Sequence, residues 1–274
     1  MTSDHRRQVA QDPRSTQQLV EIYLGNPESE EARQALAIIH ARGGPEEFHH
    51  GARLAKAATE AERIAGADIL AQLGWKDRTH LEESVSALLE LLDDPSEAVV
   101  SAAAIALGHR HHPRAIQRLV QRSTHPSADV RNGVVHGLSG HDDPSAVEAL
   151  IRLASDADRD VRNWATFGVA QRTTLDSPAI REALLARAED EDAEIRGEAL
   201  IGLARRGDAR ALTFIQQELG GEFHGDWAVE AAGLLSDPRL HQLIEALYRS
   251  LDPEERARFK RTFADALESL RSKS

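Results

Sequence analysis

DADRDVRNWATFGVAQR, running from Asp156 to Arg172, is the stretch whose reading decides the fold. Its skeleton is an Asp, then the pair Val161-Arg162, then small or apolar residues four, seven and eight positions after the valine: Ala165, Gly168 and Val169. At about 100° per residue, Val161, Ala165, Gly168 and Val169 share one face of a helix, and Asp156 sits in the turn before it.

The same skeleton recurs in both directions. Aligning on the Val161 position gives Ala65, Val99, Val130, Val161, Ile195 and Trp227, at spacings of 34, 31, 31, 34 and 32 residues, with a degenerate earlier copy at Ala32. Position four reads Ala103, Val134, Ala165, Ala199 and Ala231, and position seven reads Ala106, Gly137, Gly168, Gly202 and Leu234. A period of this length is that of stacked helical hairpins, each too thin to bury its own apolar face. Small residues at one angular position let helix backbones approach closely. Prolines 113, 144, 178 and 238 open the other helix of the hairpin, where a missing amide hydrogen costs nothing. No segment alternates as a strand does.

Composition narrows the function classes. The net charge of −12 argues against a grip on phosphate backbones, which depends on Lys and Arg displacing counterions, and favours a basic partner. Cysteine is absent, so disulfides, thiolate metal sites and a Cys nucleophile are excluded. No apolar run is long enough to cross a bilayer, and the polar N-terminus does not read as a secretory signal, so a cytoplasmic location is expected. Residues 1–12 read as disordered. The C-terminal segment 252–274 reads as a capping helix, with Asp252 as N-cap and Phe259, Phe263, Leu267 and Leu270 as its apolar stripe.

The period, with the Asp, Val-Arg, Ala and Gly-Leu pattern, resembles HEAT-repeat proteins of the armadillo type. It is especially similar to the bacterial subgroup of phycobilisome-lyase-type HEAT-like repeats, over roughly residues 30–250. Together these readings imply an all-α fold: a right-handed α-solenoid of about seven helical-hairpin repeats over 13–251, with terminal capping helices. The resemblance further implies that second helices line a concave surface and that turn acids and second-helix arginines form a ladder between repeats. By position the acids are Asp94, Asp156 and Asp190, and the arginines are Arg162 and Arg196. His125 stands where the Asp before Arg131 belongs, and Val100 and Ala228 stand where Arg belongs, so an interrupted ladder is expected.

If positions zero, four, seven and eight face the core, positions two, six and nine face the concave side. Position two carries Asn132 and Asn163; position six carries Ile105, His136, Phe167 and Ile201. Two readings stay open: an apolar groove flanked by amides that receives a partner segment, or simple packing between adjacent helices, which is the plainer of the two. Trp164, on the border at position three, is expected to be buried between repeats; exposed, it would be the leading hot-spot candidate. His109, His111, His112, His125, His136 and His141 concentrate locally, yet a loop gives no tetrahedral site, so no metal and no cofactor are expected. Arg114, Arg118 and Arg122 form a row on a first helix that reads as a solvated face. No catalytic motif is present.

The expected role is a non-enzymatic scaffold or adaptor that binds a protein or peptide segment, a basic one by charge, at Asn132, His136, Asn163, Trp164, Phe167 and Ile201. Two alternatives are a bilin-lyase-like accessory factor for chromophore attachment and a HEAT-like DNA glycosylase, the latter disfavoured by net charge. Membrane and nucleic-acid partners are not expected.

Overall fold

The computed structural model describes residue 9, residues 11–221 and residues 225–271. Of the segment expected to be disordered, residues 1–8 and 10 lie outside the described residues. Among the described residues there are sixteen α-helices and no strand. They divide into two compact units, Met1–His141 and Asp142–Ser274.

The first unit holds α1 (Thr16–Gly25), α2 (Glu30–Arg42), α3 (Pro45–Leu54), α4 (Glu60–Ala71), α5 (Leu81–Leu91), α6 (Glu97–Arg110), α7 (Ile116–Arg122) and α8 (Ala128–Leu138). The second holds α9 (Pro144–Leu153), α10 (Arg159–Phe167), α11 (Pro178–Arg187), α12 (Ala193–Arg205), α13 (Ala211–Gly220), α14 (Trp227–Leu235), α15 (His241–Ser250) and α16 (Pro253–Arg271). Each odd-numbered helix packs on the even-numbered one that follows it. The second helices also pack on one another: α6 touches α4 and α8, and α12 touches α10 and α14.

The recurring skeleton is the reason. Val99, Val130, Val161 and Ile195 are fully buried, as are Ala103, Val134, Ala165 and Ala199 four residues on. Glycines set the spacing: a Cβ on Gly108 would lie 2.6 Å from the His136 carbonyl oxygen, and one on Gly137 would lie 2.7 Å from that of Ala104. Side-chain caps fix the starts of the second helices. The side chains of Ser96, Asp158 and Asp192 accept hydrogen bonds from amides of the first helical turn. Pro144 and Pro178 open α9 and α11, and Pro113 and Pro238 open 3-10 turns that run into α7 and α15.

Three details differ from the sequence reading. First, Glu62, not Ala65, occupies the Val161 position in its repeat. Arg63 Nη1 donates to carbonyls six and five residues back, those of Ala57 and Ala58, as Arg131, Arg162 and Arg196 do in their own repeats. Period counting slipped by three residues because this repeat carries an extra turn around the 3-10 segment Trp75–Asp77.

Second, the copy that decided the fold is not a regular helix throughout, since Gly168–Arg172 winds as a π-turn. Third, α16 buries Phe263, Ala266 and Leu270, while Phe259 and Leu267 stay half-buried. The helix lies against α14, where a Cβ on Gly233 would meet the Ala266 Cα at 2.9 Å. Leu234 is left 41% exposed at position seven, where buried residues were expected. Asp252 does cap α16, its carboxylate accepting from the Glu254 and Glu255 amides at 2.8 Å each.

Candidate binding surface on the second helices

The turn acids do two jobs at once. One oxygen of Asp94, Asp156 and Asp190 accepts from the backbone amide two residues on, at 2.9, 2.9 and 3.1 Å, which shapes the turn before the second helix. In Asp190 the other oxygen takes Arg162 Nε at 3.0 Å, while Arg162 Nη1 holds the Asp156 carbonyl at 3.0 Å. One guanidinium thereby ties its own turn to the next. Arg63 does the same to Asp94 at 2.7 Å, so the ladder reaches further toward the N-terminus than the sequence alignment allowed. Arg196 takes Glu218 of α13 instead of a turn acid, at 2.6 Å.

A second set of arginines, which sequence reasoning missed, clamps helix ends. Arg110 is 1% exposed and donates to the Leu70 and Leu73 carbonyls and to Ser84 Oγ. Arg206 donates to the carbonyls of Val169, Ala170, Gly202 and Leu175, two of which lie in the π-turn. A π-turn loosens its own ladder, and the guanidinium collects the freed acceptors. The signal was present: Arg110 and Arg206 each stand eleven residues after the Val161-position residue of their repeat. Arg114 pairs with Glu82, and Arg118 and Arg122 pair with Asp93, so the basic row is spent on neighbouring acids.

The residues singled out for a groove do not share one environment. Asn132 and His136 lie in the first unit; Asn163, Trp164, Phe167 and Ile201 lie in the second. Ile201 is 1% exposed and Asn163 6%, so both are packing residues rather than surface. Adjacent second helices lie so close that positions two and nine are covered by the neighbour, as the Gly108 contact with His136 shows and as a Cβ on Gly133, 2.7 Å from the Ser101 oxygen, would show. Asn132 and Asn163 each keep a buried side-chain oxygen with no hydrogen-bond donor. Trp164 reverses the expectation of burial: it is 42% exposed, with its ring edge-on to Phe167 at 5.8 Å and 89°.

Trp164, Phe167 and Gln171 run at i, i+3 and i+7, and Gln171 donates to the Glu198 carboxylate of α12. Burial raises the Glu198 pKa, and the negative charges of Glu230 and Glu194 add to the rise. Arg159 offsets Glu194 at 2.7 Å and Arg205 approaches Glu230 at 3.8 Å. The second unit therefore presents an exposed Trp164 on a half-buried Phe167, near the carboxylates of Glu194, Glu198 and Glu230.

The histidines separate into ordinary roles. His111 stacks on His141 at 4.0 Å, His112 Nε2 meets Glu82 at 3.0 Å, and His125 Nδ1 accepts from the Ser127 amide. Among the described residues no group of three His, Asp or Glu side chains could hold a metal ion. No described helix is long and apolar enough to cross a membrane.

The profile of the family described as HEAT repeats matches residues 51–139 and 147–222, more than half of the chain. The chain belongs to the HEAT-repeat family. Its fold is an α-solenoid of HEAT-like repeats, and two solved structures agree. The Escherichia coli protein YibA is 23% identical over 99% of this chain and 97% of its own, with a TM-score of 0.71. An engineered protein matches at 18% identity over 92% of this HEAT-repeat chain and 77% of its own, with a TM-score of 0.52. A designed armadillo repeat protein solved with the peptide (KR)4 matches at 18% identity over 69% and 98%, with a TM-score of 0.47. No curated protein matches the sequence.

Proposed function

We propose that this HEAT-repeat protein is a non-enzymatic interaction scaffold whose second unit receives a basic peptide segment across α10, α12 and α14. The exposure of Trp164 beside Phe167 carries the reading. A Trp left in water in a chain with only three is costly to keep for packing alone, and Trp is enriched among residues that dominate binding energy. The carboxylates of Glu194, Glu198 and Glu230 supply the charge preference. A lysine or arginine arriving there would relieve their mutual repulsion and could lie over the indole face. The buried Asn163 and Ile201 support this surface rather than touch the partner, and Asn132 and His136, which lie in the first unit, form no part of it.

The test is fluorescence anisotropy with a labelled Lys/Leu-alternating peptide and with its Glu/Leu counterpart. The basic peptide should bind and the acidic one should not. Trp164→Ala should weaken binding by about 2 kcal/mol, near 30-fold, with helicity unchanged. Equal binding of both peptides, or an unaltered affinity in Trp164→Ala, would remove the surface from consideration.

The finer likeness, to phycobilisome-lyase-type repeats, rests on the Asp156, Arg162 and Gly168 pattern. It keeps chromophore handling as a competing reading, which bilin titration followed by visible absorbance decides. A visible band that appears with bilin and persists in Trp164→Ala would favour it over the peptide surface.

A further inference from the structure

The first unit contains a cleft of about 730 Å³, lined by Gln72, Trp75, Lys76, Arg78, His109 and Arg110, that no part of the scaffold reading uses. It forms where the repeat is lengthened. Between α4 and α5 the chain makes a left-handed bend at Gly74, Trp75, Arg78 and His80, with φ of 67°, 47°, 47° and 51°. Three of these are non-glycine residues, in a conformation that L side chains adopt only when their surroundings hold them there. The bend brings Trp75, Lys76 and Arg78 to the end of α6, where His109 and Arg110 stand.

The cleft gathers basic side chains. Many arginines of the molecule meet carboxylates, as Arg63 does Asp94 and Arg162 does Asp190, whereas Arg206 is held mainly by carbonyls. Here the guanidinium of Arg110 is buried against neutral acceptors, two carbonyls and a hydroxyl. Burial, with the nearby positive charge of Arg78, lowers its pKa to about 10. Lys76 and Arg78 are exposed, with the exposed Asp77 between them in sequence. Burial also lowers the His109 pKa, which leaves a neutral imidazole able to donate or accept. Two exposed cations at the mouth of a concavity, beside an aromatic wall, give an anion a place to dock.

We infer that this cleft is a binding site for a small organic anion, a phosphate- or carboxylate-bearing molecule whose charged end meets Lys76 and Arg78, with the buried Arg110 behind them, and whose flat or apolar part rests on Trp75. The volume lies within the range of small-molecule sites, and the lining combines an aromatic wall with a few convergent polar groups. The site lies wholly in the first unit, so it stands or falls independently of the peptide surface on the second.

Calorimetric titration of the full chain with pyrophosphate, citrate and adenosine monophosphate tests the inference and separates the two anion chemistries. At least one probe should bind with Kd below about 1 mM and weaken as salt rises from about 50 to about 200 mM. The double variant Lys76→Ala, Arg78→Asn should lose about tenfold or more in affinity. Asn is chosen because it tolerates the left-handed backbone at position 78, and unchanged circular dichroism establishes that the variant is folded. Trp75→Ala should weaken the ring-bearing probe more than pyrophosphate. Absence of binding by all three probes, or equal affinity in wild type and the double variant, overturns the site.

Discussion

Replacing Gly66 with alanine sets two physical effects against each other, and the structure decides which wins. Gly66 lies inside α4, and by helix propensity alone alanine there would stabilise the chain by about 1 kcal/mol. The added methyl, however, would lie 2.3 Å from the Ala55 amide nitrogen and 2.8 Å from the Leu54 carbonyl carbon. Both obstacles are main chain, so no side chain can rotate away. The α3–α4 hairpin must open by about 1 Å, and overpacking of this kind costs about 1–3 kcal/mol, more where backbone is the obstacle. A net loss of about 1–2 kcal/mol follows. The same substitution at Gly220, at the end of α13 with nothing within 4 Å, should instead be neutral or stabilise by up to about 1 kcal/mol. Urea unfolding by circular dichroism measures both. Because the two units need not unfold together, hydrogen exchange of α4 amides should accompany it. If Gly66→Ala proves as stable as wild type, close backbone approach is not what holds this hairpin.

Two further outcomes concern charge. Asp190→Ala should destabilise the second unit by about 3 kcal/mol, since it strands Arg162 and Arg187 in a nearly buried setting; an unfolding midpoint within error of wild type would show the ladder to be idle. His40 is buried, its Nε2–H donating to the Asp68 carbonyl at 2.8 Å, and burial lowers its pKa to about 4, with the charges of Arg110 and His109 contributing. The unfolded chain takes up this proton near pH 6.5 and the folded chain does not, so the contribution is complete above that pH. It falls by about 3 kcal/mol as pH drops toward 4. Asp68, whose pKa is raised by burial, works in the opposite direction, so the comparison must be with His40→Gln, which keeps a donor and loses the titration. Parallel stability–pH curves for the two proteins would refute the assignment.

The sequence by itself determined the all-α repeat, because burial of a thin hairpin demands small apolar residues at one angular position in every copy, and such a demand leaves a period. It also contained the turn acids and Arg162, since a bond from one turn to the next must recur with the repeat. The positions that departed from the period were decided only by the tertiary structure. The extra turn at Gly74–His80 shifted the register of Arg63 and created the basic cleft, and a local insertion is noise to a periodic pattern. Burial of Ile201 and exposure of Trp164 depend on how closely neighbouring helices approach, a distance that glycines such as Gly202, against Ala170, set rather than either residue. Arg110 stands next to a row of surface arginines in sequence, and only the meeting of α4, α5 and α6 turned its charge inward onto carbonyl groups.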